Sequence, residues 1–256
     1  MVPFPSVLEP APEPSCIPVR RPVLPLERLG ALVEILICSG FPTQILLILV
    51  VRGLGLPMLM DDRALSPPFV FTVSLLDALA VVGLVLVFLR AHHESPRTVL
   101  FGEGRVFREA LLGIATLPAV FMLILLVLVT ILRFAPFLHN VTRNPLEDML
   151  RTRGDAMIFA VVVMIAGGVR EEVQRGFVAH RAGQYLGGAV WGVAVYSVFF
   201  GLGHFEQGYD AMIATGLLGL LWGLLYLSRR SIVAPMVSHA AFNLAQLLKY
   251  MAFAAR

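Results

Sequence analysis

The chain has 256 residues, of which 58% are hydrophobic and 14% charged, with a formal net charge of +3 and a mean hydropathy of +0.83. A soluble domain carries about 25% charged residues, so the composition excludes one and points to an all-α, polytopic helical membrane protein. The apolar runs are continuous rather than alternating, which excludes a β-barrel, and the basic residues are scattered through loops, which suits anionic headgroups and offers no stripe for nucleic acid.

Residues 1–30 are Pro-rich and lack both the basic start and the unbroken apolar core of a cleaved signal peptide. Their prolines disfavour a regular helix, so an extended tail at the membrane surface is expected, closed by Arg20, Arg21 and Arg28. Cys16 lies in this tail and Cys38 in an apolar run, so no disulfide is expected between them.

A hydrocarbon core of about 30 Å takes roughly 20 apolar residues per helix. That ruler predicts about seven transmembrane helices, at 31–51, 69–89, 110–132, 156–179, 187–204, 211–228 and 232–252. Gly40 and Pro42 interrupt the first and are expected to kink or split it. Glu34 and Asp77 are acids inside apolar runs, expected to be interfacial or paired. Placing the N-terminus in the cytoplasm puts most Lys and Arg on that side, although the 133–153 loop opposes the choice. There is no internal repeat and no second soluble domain. The organisation is a tail over 1–30, N-terminal helices and loops over 31–155, and a C-terminal core over 156–252.

Polar residues gather in that core. The fourth span runs into GGVREEVQRGFVAHR, where Glu171 and Arg175 share a helix face in the favoured orientation for an i, i+4 ion pair. A wet helix end would also carry such charges. The fifth span ends on Phe200 and His204, again four apart, with Gly201 and Gly203 between them as small residues that let helices approach. Ser197 lies about two turns before His204 and outside any G-x-S-x-G setting, so it reads as a packing residue. The last span carries His239 and Asn243 on one face among Ala, Phe and Leu; an interhelical hydrogen bond would suffice for Asn243 alone. Burying a carboxylate, two imidazoles and an amide in hydrocarbon costs several kcal/mol unless they satisfy one another or hold water. Three such faces predict one polar pocket, and hydrolysis is chemistry that would use it.

The order of a Glu-Glu/Arg-Gly segment, then F-x-x-x-H, then H-x-x-x-N resembles the CAAX-protease and bacteriocin-processing (Abi) family of intramembrane proteases. The residues that carry the resemblance are Glu171, Glu172, Arg175 and Gly176; Ser197, Phe200, Gly201 and His204; Gly219 and Gly223; and Ala234, Pro235, His239 and Asn243. It covers about 156–250. The family pattern is E-E-x-x-x-R, whereas Arg175 follows Glu171 by four. Alignment on Arg175-Gly176 puts Arg170 where the family has its first Glu; alignment on the two Glu leaves the chain one residue short before the Arg.

The resemblance implies an intramembrane endopeptidase acting on a peptide or protein at the lipid bilayer. It implies that Glu171 and His204 polarise a water while His239 and Asn243 donate to the oxyanion, with Arg175 orienting the carboxylate and Phe200 shaping the wall. Glu171 is the working carboxylate because it matches a family Glu in both alignments; Glu172 is the reserve. No cofactor is implied for such a glutamate-type site, with zinc on a carboxylate and two His as the alternative. A multi-pass protein of a bacterial-type cell membrane is expected. Two other classes compete: a non-catalytic scaffold or immunity-type peptide-binding protein of the same family, and a proton-coupled transporter.

Overall fold

The computed structural model describes residues 22–142 and 144–254. The expected tail falls mostly outside these residues, as do Cys16, Arg20 and Arg21. The described chain is almost wholly helical, with one isolated bridge between Leu59 and Leu65. In order, the helices are α1 (Pro25–Ile37), α2 (Phe41–Gly53), α3 (Pro67–Ala91), α4 (Val106–Ala115), α5 (Leu117–Phe134), a short α6 (Pro145–Asp148), α7 (Arg153–Val163), α8 (Glu171–Tyr185), α9 (Ala189–Leu202), α10 (Tyr209–Arg229) and α11 (Val233–Ala254). Two π-helical stretches, Arg97–Phe101 and Met164–Arg170, complete the path, the second joining α7 directly to α8.

Several boundaries differ from expectation for local reasons. Helix α1 starts at Pro25, inside the expected tail. A proline at the first helical position gives up only an N–H that has no intrahelical partner, and its fixed φ suits the turn. The first predicted span is split: α1 ends at Ile37 and α2 begins at Phe41, with Gly40 at φ +83° between them. A Cβ at Gly40 would also run into the Arg170 guanidinium, so glycine is required there both for backbone and for space. The third span bends at Thr116, whose hydroxyl donates to Gly113 O at 2.7 Å and pairs with the Ser238 hydroxyl at 2.9 Å.

By length and apolarity, four helical stretches among the described residues can cross a membrane: Pro25–Gly53, Pro67–Ala91, Arg97–Phe134 and Tyr209–Arg229. The expected seven are not all of this kind. Ala189–Leu202 is apolar but shorter, and the stretches 153–185 and 233–254 carry the polar side chains of the core, which lower their hydropathy. Leu79, Phe107, Phe134 and Trp191 point outward and are exposed, as lipid-facing side chains are. Helix α8 is the enclosed element: Glu172 through Ala179 are all buried, and α8 packs against α1, α3, α9 and α10.

Candidate active site

The site is built where the π stretch meets α11. Among the described residues, Gly168 packs on Ala240, and a Cβ at Gly168 would lie 2.7 Å from the Ala240 Cβ. One residue earlier, a Cβ at Gly167 would collide with the Asn243 carboxamide and lie 3.6 Å from His239 Nε2. Two glycines therefore allow α11 to lie close enough to bring His239 and Asn243 to the start of α8. Single π turns within helices recur at functional sites because they re-aim the side chains that follow.

The two adjacent glutamates are aimed apart, as a rotation of about 100° per residue requires. Glu172 is 1% exposed and points inward. Its Oε1 pairs with Arg175 Nη1 and accepts from His239 Nδ1 at 2.8 Å. The expected Glu171–Arg175 pair is thus replaced by Glu172–Arg175, three residues apart rather than four. Glu171 is half-buried, with Oε2 3.7 Å from His239 Nε2 and Oε1 3.8 Å from Arg170 Nη1. Arg170 in turn reaches Asp77 Oδ2 at 2.6 Å, and Asp77 accepts from Thr43 and Gln44 of α2. A row of acidic and basic side chains therefore runs Asp77, Arg170, Glu171, His239, Glu172, Arg175.

Aromatic rings enclose the row. Trp222 stacks on the His239 ring at 3.8 Å and 19°, and its Nε1 donates to Ser238 Oγ at 3.1 Å. Phe200 presents its face to the Arg175 guanidinium at 4.9 Å and meets the His204 and His239 rings at steep angles, with centroids 5.0 and 6.2 Å away. His204 caps the end of α9, its Nδ1 paired with Phe200 O at 2.8 Å. Ser197 donates to Val193 O at 2.7 Å and is buried as a packing residue, as expected. Glu34 and Asp77 are both paired.

Two cavities adjoin here. The first, of about 510 Å³, lies between α5, α7, α10 and α11 and is lined by Glu171, His204, His239 and Asn243 together. The second, of about 690 Å³, lies between α1, α2, α8 and α9 and is mostly apolar. Glu171 and His204 line both, so they stand at the seam. Glu172 lines neither, and Arg175 lies behind it; Phe200 forms wall in the second. Among the described residues His204 makes no hydrogen bond to Glu171, His239 or Asn243, although all four line the first cavity. No three His, Cys, Asp or Glu side chains among the described residues converge as ligands of one metal ion. One nitrogen of His239, Nδ1, is engaged by Glu172, which leaves Nε2 as the nitrogen on the Glu171 side.

Sequence reasoning did not single out Trp222, Ser238, Arg170 as Asp77's partner, or Gln174. Trp222 carried a signal, a large ring set against Gly223 on a helix with Gly219 one turn before; Ser238 and Arg170 depend on long-range pairing, and Gln174 on its burial in the fold.

The protein is thus a helical membrane protein with a buried carboxylate, imidazole and guanidinium cluster beside a shared cavity. Residues 153–245 match the family model described as type II CAAX prenyl endopeptidase Rce1-like. The match falls on the stretch whose motif order resembles the CAAX-protease family, and it supports an intramembrane protease of the CAAX type. No curated protein and no solved structure matches the chain.

Proposed function

We infer that the protein is an intramembrane endopeptidase that hydrolyses a peptide bond at the seam of the two cavities, in a bacterial-type cell membrane. The observation that carries this reading is the joint lining of one cavity by Glu171, His204, His239 and Asn243, drawn from three separate helices.

In this reading a water held between Glu171 and His204 loses its proton to the Glu171 carboxylate as its oxygen adds to the scissile carbonyl. The oxyanion that forms accepts from His239 Nε2–H and Asn243 Nδ2–H. Collapse breaks the C–N bond, and the proton on Glu171 passes to the leaving amine. His239 Nδ1 lies 2.8 Å from Glu172 Oε1, which fixes the ring with Nε2 on the Glu171 side. Arg175 therefore serves the site through Glu172 rather than through the working carboxylate, while Arg170 is the cation beside Glu171. No step requires a metal.

The purified chain in proteoliposomes, given a library of apolar peptides, cleaves them, and chelation leaves the rate unchanged. Full activity in Glu171→Gln, His204→Ala and His239→Ala together would sink the reading. The row of acidic and basic side chains from Asp77 to Arg175 also suits proton movement. Proton flux in liposomes containing the protein, without peptide cleavage, would favour that second reading.

A further inference from the structure

Helix α8 sends more into the second cavity than Glu171. Glu171, Gln174, Val178 and Ala182 recur at three and four residues, so they form one face, and all four line that cavity. Gln174 is 1% exposed. Among the described residues neither its Oε1 nor its Nε2 has a hydrogen-bond partner. A buried carboxamide with both ends unpaired is costly, by about 1–3 kcal/mol for each group left unsatisfied. Leu36, Val195 and Phe199 contribute apolar wall to the same cavity. Arg170, the cation in the lining, is paired with Asp77 at 2.6 Å and has Glu171 3.8 Å away.

We propose that Gln174 is a substrate-positioning residue that pairs with the backbone of an extended, uncharged apolar peptide segment lying in the second cavity. A carboxamide presents one acceptor and one donor group in a plane, the complement of the N–H and C=O that an extended chain turns to one side. The distances agree. Gln174 stands three residues, about 4.5 Å of helix rise, from Glu171, and an extended chain advances about 3.3 Å per residue. The paired peptide unit is then one to two residues from the bond beside Glu171. The apolar walls receive the neighbouring side chains, and the lack of an uncommitted cation selects against a carboxylate at that position. The proposal rests on the hydrolytic reading of the Glu171 seam and names how that seam holds its substrate.

The test uses the full chain in nanodiscs and a fluorophore-labelled peptide of about ten residues with Leu, Val and Phe at its centre. Sister peptides carry a single ester in place of each central amide, which removes one N–H donor at a time. Binding is measured in Glu171→Gln protein, where cleavage is blocked, with and without Gln174→Leu. Gln174→Leu keeps the volume and removes two unpaired buried groups, so the thermal midpoint does not fall. The expected result is a tenfold weaker binding, about one hydrogen bond's worth, for Gln174→Leu and for one ester position, with no further loss when the two are combined. In protein with Glu171 intact, Gln174→Leu raises KM more than it lowers kcat. Equal binding of all peptides with and without Gln174, no binding at all, or additive losses in the combination would each overturn the proposal while leaving cleavage to be judged by Glu171. Gln174-dependent binding with no cleavage in any condition would instead remove the hydrolytic reading and leave the backbone clamp standing.

Discussion

Helix α8 carries two buried arginines six positions apart, and they are treated in opposite ways. Arg181 is fully satisfied: Nε donates to Glu34 at 2.6 Å, Nη1 to Glu94 at 2.5 Å and to Gln184 at 2.9 Å, and Nη2 reaches Phe88 O at 3.4 Å. Arg175 meets a single carboxylate oxygen of Glu172, and among the described residues its Nε and Nη2 have no hydrogen-bond partner. Each guanidinium lies over a phenylalanine, Phe177 for Arg181 and Phe200 for Arg175, at about the same distance, 5.0 and 4.9 Å. The surrounding hydrocarbon is therefore similar, and the difference lies in polar satisfaction. The completed network ties α1 and the loop after α3 to α8, with His92 on Glu34 and His180 on Glu94 extending it outward. The incomplete one lies behind Glu171 and His239, which line the first cavity. Unsatisfied buried groups are costly, and proteins tolerate them where function needs the strain.

If that division is right, substitutions at the two ends of α8 separate activity from stability. The largest effect is expected for Glu171→Gln: kcat falls by about 10³–10⁴-fold, as for loss of a general base, while the thermal midpoint in detergent is unchanged. At the other end, Arg181→Met strands two carboxylates and lowers unfolding free energy by about 3–5 kcal/mol. Its kcat per folded molecule stays near that of the parent, measured after correcting for the folded fraction. Comparable losses of kcat at both positions would erase the distinction. Glu172→Gln is intermediate, with kcat lower by about 10²-fold through a misoriented His239 and a changed pH profile that Glu172→Asp partly restores. A purely structural Glu172 would alter the melting temperature and leave the profile in place.

The smallest effect belongs to Glu94, in the loop between α3 and the first π stretch. Burial opposes its ionisation, but hydrogen bonds from Gln184, His180 and Arg181 outweigh that and hold the carboxyl below its ordinary value of 4.5. Its folded value is the lower one, so its stabilisation is complete above 4.5 and is lost as pH falls through the depressed folded value. The group is partly in contact with water, so about 1 kcal/mol or less is involved. Thermal melts of the parent and Glu94→Gln across acid pH should converge below that range and separate above it.

Much of this was legible before the fold. The i, i+4 pairs Phe200/His204 and His239/Asn243 are read directly from helical period, and both His face one cavity with Asn243. The pairing of Glu34 and Asp77 followed from the cost of a lone carboxylate in hydrocarbon, but their partners, Arg181 and Arg170, lie 147 and 93 residues away (181 − 34 and 170 − 77), beyond any periodic pattern. The Glu171–Arg175 pair was misread because i, i+4 and i, i+3 geometries are both available to an arginine. What chose between them is the position of His239, which occupies the outer side of Glu172.

The sequence by itself determined that the chain is helical and membrane-embedded, because length and hydropathy of apolar runs leave no other way to satisfy a backbone in lipid. It also determined that Glu, His, His and Asn from three spans belong to one family pattern, because motif order survives without coordinates. The tertiary structure alone decided which adjacent carboxylate meets the cavity. The π stretch over Met164–Arg170 sets the phase of α8, and at about 100° per residue that phase turns Glu171 to the seam and Glu172 inward to Arg175 and His239. Only packing across α3, α8 and α11 fixes such a rotation, since either phase satisfies the helix itself.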